Sequence, residues 1–341
     1  MFLGGTGIKY TTVTKLNIDD YTRQYDVLIC QVRPSRIKAK QWAALEISTV
    51  LAPLGAIFIT NTPIGDIQGL IAFFVPKGVD ICPLFDNVGY SYKFYKLIFE
   101  DMQAYKPADL KSINPYYWKG RPFVPTCYHI TDEEAFEAQS VANRPFAVYQ
   151  QDMTIKYIKG YRGDGSEAGR RALPQEDARL MANLASPLSI TSLLDPFAGG
   201  GGIIHAAKCA NRTLHLISAD IDPTVEPGLK MYATVHHTCD ARDLKLDTPV
   251  DAIVTEVPFS MAYVDIVNDA LGHLTQFLTN QGRLVLMCHQ DQFPRINTGL
   301  YPIYHREINR KGTPITISYW TKDKSFHEAS REYIATLKEF I

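Results

Sequence analysis

The chain has no excess of charge of either sign: 35 lysines and arginines stand against 36 aspartates and glutamates, a formal net charge of −1. A global field that would hold a polyanion is therefore missing, and any such ligand must meet a local basic patch. Paired cysteines are missing too. The 6 cysteines, Cys30, Cys82, Cys127, Cys209, Cys239 and Cys288, form no C-x-x-C pair with histidine spacing, so they suggest no zinc site and read as reduced thiols. No long apolar run occurs. The most apolar stretch, Gly69 to Val75, is much shorter than a bilayer span, and no basic region followed by an apolar core opens the chain. These absences predict a soluble, cytoplasmic protein without membrane segment or metal.

What is present is ordinary globular material, 46% hydrophobic and 21% charged over 341 residues, enough for two domains on a prior of roughly 150 residues each. Residues 1–104 alternate strand-like and helix-like patterns, with Tyr25–Cys30 and Ala56–Thr60 as strands around a helix from Trp42 to Leu54. Residues 105–151 read as a connecting segment, because Pro107, Pro115, Pro122, Pro125 and Pro145 argue against long regular elements. Strand and helix alternation returns over 152–323, the pattern of a mostly parallel sheet covered by helices. Residues 324–341 predict a C-terminal helix opened by a capping box over Ser325–Glu328.

One internal similarity stands out. Tyr25-Asp-Val-Leu-Ile-Cys-Gln-Val-Arg-Pro-Ser35 parallels Val250-Asp-Ala-Ile-Val-Thr-Glu-Val-Pro-Phe-Ser260, and each is followed by a helix, a turn glycine (Gly55, Gly282) and an apolar strand. Gly78–Phe99 and Gly299–Trp320 then both read as two strand-like runs around a glycine turn. Either two α/β segments resemble each other by chance, or the N-terminal region is a degenerate half-copy without a cofactor pocket.

The chemistry concentrates after residue 190. Ser192-Leu-Leu-Asp-Pro-Phe-Ala-Gly-Gly-Gly-Gly-Ile-Ile204 reads as strand, glycine loop and helix start, which brings backbone close to a ligand. No Gly-Lys-Ser/Thr ending follows, so a P-loop is excluded, and the third glycine of G-x-G-x-x-G is replaced by Ile204 or His205. The strand Leu214–Asp220 ends in Asp220-Ile-Asp222, where a carboxylate suits a ribose diol. His237–Leu244 supplies a short third strand with Asp240 placed to receive an adenine amine. Asp251–Thr255 runs into Glu256-Val-Pro-Phe259, an acid, a proline and an aromatic ring at the carboxyl end of the strand beside the loop. That is a switch point of a doubly wound sheet, where an amine can be held and a base stacked.

The succession Asp195-Pro-Phe-Ala-Gly-Gly-Gly-Gly202, Asp220-Ile-Asp222, Asp240-Ala-Arg-Asp243 and Glu256-Val-Pro-Phe259 resembles motifs I to IV of a class I S-adenosylmethionine methyltransferase. It is most similar to the THUMP-associated RNA methylase family, which includes tRNA guanine-N2 methyltransferases, and the approach segments Ile158–Arg162 and Leu173–Ala185 agree. The resemblance covers about residues 155 to 323 and implies a Rossmann-like α/β sheet, mostly parallel, with a C-terminal antiparallel hairpin. It implies S-adenosyl-L-methionine held by Asp195, Pro196, Ala198, Gly199, Gly201, Asp220, Asp240 and Ala241. Glu256, Pro258 and Phe259 would then be catalytic, with Glu256 and a carbonyl of the Val257–Pro258 segment accepting from a guanine amine and Phe259 stacking on the base. The family usually has Asp or Asn with Pro-Pro and an aromatic, so Glu256 and Val257 depart from it. The N-terminal region shows no THUMP pattern. Arg162 and Arg171, with Tyr117 and Trp118 of a mixed aromatic and basic run, are the candidate RNA contacts, tRNA being the implied substrate. Two other readings stay open: a DNA amino-methyltransferase, and a cofactor-binding pseudo-methyltransferase serving as a partner subunit.

Overall fold

The computed structural model describes residues 8–12, 18–60, 69–85, 87–99, 116–118, 121–130, 145–159, 173–310 and 312–339. They fall into two compact units, one taking in the described residues from 8 to 133 and from 335 onward, the other those from 134 to 334.

The first unit is built on β1 (Lys9–Thr11), β2 (Tyr25–Val32), β3 (Ile57–Ile59), β4 (Leu70–Pro76), β5 (Ser91–Phe99), β6 (Tyr116–Trp118) and β7 (Arg121–Ile130), in the order β1-β3-β4-β2-β5-β7-β6. Only β1 and β3 pair in parallel; every other neighbouring pair is antiparallel. The helix Lys40–Leu51 is buried from Gln41 to Leu51. A carboxylate inside such a helix needs donors, and Glu46, 0% exposed, accepts from the backbone N–H groups of Gly89 (2.7 Å) and Tyr90 (2.9 Å).

This topology corrects the half-copy reading. A half-copy would set β2 beside β3 in parallel, as its proposed counterparts pair in the second unit, but β4 lies between them and runs antiparallel to both. The reason is the run Ile71–Val75, buried at every residue, which can satisfy its apolar side chains only as a central strand. The run before Val88 is a helical turn, Cys82–Phe85, and not a strand. The segment 105–151 is not merely connective either. Despite Pro122 and Pro125, β7 spans ten residues between β5 and β6, and Pro145 opens β8 (Pro145–Tyr149), which pairs with β9 (Ile155–Lys159) as a separate hairpin.

The second unit carries β10 (Ser192–Asp195), β11 (His215–Asp220), β12 (Val235–Thr238), β13 (Val250–Glu256), β14 (Leu278–His289), β15 (Tyr301–Arg310) and β16 (Thr313–Thr321) in the order β12-β11-β10-β13-β14-β16-β15. The first five are parallel, and β16 and β15 are antiparallel additions at the edge. Order and orientation are those of the Rossmann-like, mostly parallel α/β sheet with a C-terminal antiparallel hairpin that the sequence predicts. The helices Gln175–Leu184, Gly202–Ala210, Glu226–Lys230 and Val264–Leu274 accompany the parallel strands. In the last of these, Val264, Val267, Ala270, Leu271 and Leu274 recur every three or four residues and are all buried, most of them packed with Leu194, Ile253 and Leu284 of the sheet. The strand order reverses between β10 and β13, with Leu193 opposite Ala252, so a crevice opens at their carboxyl ends. The C-terminal helix, Lys324–Glu339, is not opened by a capping box at Ser325. Asp323 caps it, its Oδ1 accepting from the N–H groups of Ser325 (2.8 Å) and Phe326 (3.1 Å).

Candidate active site

The glycine loop between β10 and the helix Gly202–Ala210 turns through two positive-φ positions, Gly199 (+48°) and Gly201 (+73°). At Gly201 a Cβ would also stand 3.1 Å from Leu229 Cδ2, so the torsion demands glycine and any side chain would crowd Leu229. The loop's backbone donors are largely engaged within the protein. Gly199 N–H donates to Asp220 Oδ2 (2.7 Å), Ala198 N–H to the Ala219 carbonyl (2.9 Å) and Gly201 N–H to the Ala198 carbonyl (2.7 Å). A phosphate cradle needs such donors turned toward the ligand. This loop therefore approaches its ligand with backbone and a carboxylate, not with a nest of N–H groups.

Above the loop lies a cavity of about 510 Å³, a size suited to a small-molecule ligand. Of the residues that the sequence singles out, Pro196, Gly199, Asp220, Asp240, Ala241, Glu256, Pro258 and Phe259 line it. Three more do not. Asp195 is 1% exposed at the end of β10, Ala198 packs with Val148, Val225 and Leu229, and Gly201 caps the helix that follows the loop. Asp195 Oδ1 accepts from Thr255 Oγ1 (2.8 Å) and weakly from Phe197 N–H (3.4 Å). Burial pushes its carboxyl up to about 7; these two hydrogen bonds pull it down, and the charges of Asp220 and Glu256 add to the rise.

Asp220 closes β11, where its Oδ1 also receives Asp222 N–H (2.9 Å). It also lines the cavity, where a carboxylate can accept from a diol. Asp240 is not a lone acceptor for an amine. Arg242 donates to it through Nη2 (2.7 Å) and Nε (3.1 Å), which holds its carboxyl below the usual range, and that ion pair forms part of the cavity wall.

Glu256 is not a solvated strand-end acid. Arg310 Nη1 lies 3.0 Å from Glu256 Oε1, with the arginine side chain 4% exposed and the glutamate 20%. The same guanidinium stands 5.6 Å from the centroid of the Phe259 ring and 3.4 Å from Met287 Sδ. The loop after Glu256 is fixed from beneath by Gln292, fully buried, whose Nε2 donates to the carbonyls of Pro258 and Ser260, both at 2.8 Å, while its Oε1 accepts from His289 N–H (3.0 Å). Arg310 and Gln292 were not legible as site residues. One precedes a hairpin turn and the other follows a strand, and neither belongs to a motif.

The candidate RNA contacts stand differently. Arg162 and Arg171 lie outside the described residues, and Tyr117 and Trp118 belong to β6 of the other unit. Among the described residues no group of three or more His, Cys, Asp or Glu could hold a metal ion, and no helix is long and apolar enough to cross a membrane.

No protein-family model matches the chain. A curated relative, the tRNA (guanine(10)-N2)-dimethyltransferase of Methanothermobacter thermautotrophicus, is 38% identical over 92 residues, 25% of this chain and 27% of the relative. The chain thus matches about a quarter of that relative's length. Similar solved structures include TrmN from Thermus thermophilus (15% identity, 87% of this chain and 99% of that one, TM-score 0.45). The rRNA methyltransferase aviRa from Streptomyces viridochromogenes (13%, 49% and 91%, TM-score 0.37) is another. A third is magnesium protoporphyrin IX methyltransferase (ChlM) from Synechocystis PCC 6803 with bound SAM (12%, 43% and 78%, TM-score 0.35).

Proposed function

We propose that this protein is an S-adenosylmethionine-dependent methyltransferase acting on an exocyclic amine in RNA, guanine N2 in a tRNA being the favoured target. The observation that carries the reading is the convergence of Asp220, Asp240 and Glu256 on one switch-point cavity, with buried Asp195 behind it, whose glycine loop has its N–H groups largely engaged internally. Such a site disfavours the pyrophosphate of a dinucleotide and favours a ligand with positive charge and hydroxyl donors. S-adenosylmethionine fits that description, and it supplies a methyl group on a sulfonium.

The cavity lining supports the following roles for the protein's own residues. Asp220 would accept from the ribose hydroxyls, Asp240 and Ala241 would hold the adenine, and Pro196 with Gly199 would let the backbone approach. An aromatic amine is a poor nucleophile because its lone pair is delocalised into the ring. Glu256, as an oriented acceptor together with a carbonyl of the Val257–Pro258 segment, would draw on an amine N–H, localise the lone pair on nitrogen and stabilise the positive charge that develops there as the methyl group leaves sulfur. Phe259 offers a ring face for an extruded base. The relative named for guanine N2 chemistry in tRNA supports the choice of target over DNA. Incubating the protein with radiolabelled S-adenosylmethionine and either total RNA or DNA tests the choice: label in RNA is the expected outcome, and label in DNA alone replaces the target.

A further inference from the structure

The departure of this site from its family pattern is a longer acid, Glu256, and the structure supplies a partner for it that the sequence does not announce. Arg310 comes from the far end of β15, 54 residues along the chain, and is 3% exposed. Its guanidinium meets two groups that the proposed reaction needs, Oε1 of Glu256 at 3.0 Å and the face of Phe259 at 5.6 Å from the ring centroid. Both belong to the segment Glu256–Phe259, and the arginine and both partners line the same cavity.

We infer that Arg310 is a positioning residue for methyl transfer, a strap that holds the longer carboxylate and the stacking ring in one geometry. The inference rests on the methyl-transfer reading of the cavity. Its physical basis is the extra rotatable bond of glutamate over aspartate. An acceptor must sit within hydrogen-bond reach of one amine proton, and a free glutamate spreads over more rotamers than that permits. A planar guanidinium fixed by burial removes that freedom, and it offsets part of the negative charge that Asp195, Asp220 and Glu256 concentrate. Lysine would keep the charge but not the planar face over Phe259.

The test is a double-mutant cycle between Arg310 and the length of the acid. Wild type, Arg310→Met, Arg310→Lys, Glu256→Asp and the double variant Glu256→Asp/Arg310→Met are compared for label transfer to RNA and for S-adenosylmethionine affinity by calorimetry. Arg310→Met is expected to lower kcat at least about tenfold while the cofactor Kd and the KM for RNA stay within about threefold. In the Glu256→Asp background the same change should cost less than about threefold, because a shorter acid has less freedom for a strap to remove. Arg310→Lys should fall between wild type and Arg310→Met, and it carries the comparison should Arg310→Met fail to fold. Arg310→Met within twofold of wild type, equal losses in both backgrounds, or a cofactor Kd that weakens in step with kcat overturns the inference and leaves the methyl-transfer reading standing. A wild-type protein that transfers no label to RNA or DNA overturns the reading, and the inference with it.

Discussion

Asp195 gives the most quantitative consequence of this site. Its carboxyl is pushed from 3.8 to about 7, chiefly by burial and less by the neighbouring charges of Asp220 and Glu256, against the pull of Thr255. The unfolded chain releases the proton near pH 4 and the folded protein only near pH 7. Between those values the folded state binds more protons, so stability falls as pH rises, by roughly 4 kcal/mol for a shift of about three units, and levels off above the folded value. Asp195→Asn removes the titration while keeping an oxygen for the Thr255 hydroxyl. Whatever the amide itself costs, the difference in unfolding free energy between variant and wild type should move in the variant's favour by about that amount from pH 4 to pH 8. Urea unfolding of both proteins at four pH values in that range reads the difference directly, and the titrations common to both cancel. Curves that stay parallel across the range would refute a buried, charge-crowded Asp195.

Other consequences can be measured together. S-adenosylmethionine binding near pH 7 should release part of a proton, since a cation in the cavity favours ionised Asp195, and calorimetry in buffers of different ionisation enthalpy would show it. Asp220→Ala and Gly201→Val should each weaken cofactor binding tenfold or more, the first through lost acceptors worth about 1 to 3 kcal/mol and the second through the +73° torsion and the Leu229 contact. Gln292→Ala should lower the rate with little change in cofactor affinity, because two carbonyls of the Glu256 loop lose their donor. Glu256→Gln should cost about 10² to 10³ in rate at near-constant cofactor affinity, and wild-type turnover by Glu256→Ala would remove that side chain from the mechanism.

The second unit was legible because its signals are local. A glycine run after an apolar strand, acids closing the strands that end at Asp220 and Glu256, and the three-to-four spacing of Val267, Ala270, Leu271 and Leu274 each act within a few residues. The N-terminal sheet was not legible, because its order depends on where β4 inserts. Burial of Ile71–Val75 on both faces decides that, and a periodicity argument over β2 and β3 cannot see it. Arg310 escaped for a similar reason. Beside Lys311-Gly312 it reads as a solvated turn cation, and only the pairing of β15 with β16, of β16 with β14 and of β14 with β13 carries it to Glu256. Asp323 shows the same lesson at short range, where two nearby capping signals compete and the acid two residues earlier takes the helix end.

The most direct test of the account is nucleoside mass spectrometry of tRNA incubated with the purified protein and S-adenosylmethionine, with protein carrying Glu256→Ala in parallel. The account predicts N2-methylguanosine that accumulates with the wild type and is reduced at least about a hundredfold with the variant. Methylation at another atom, or no methylated nucleoside despite tight cofactor binding, would contradict it.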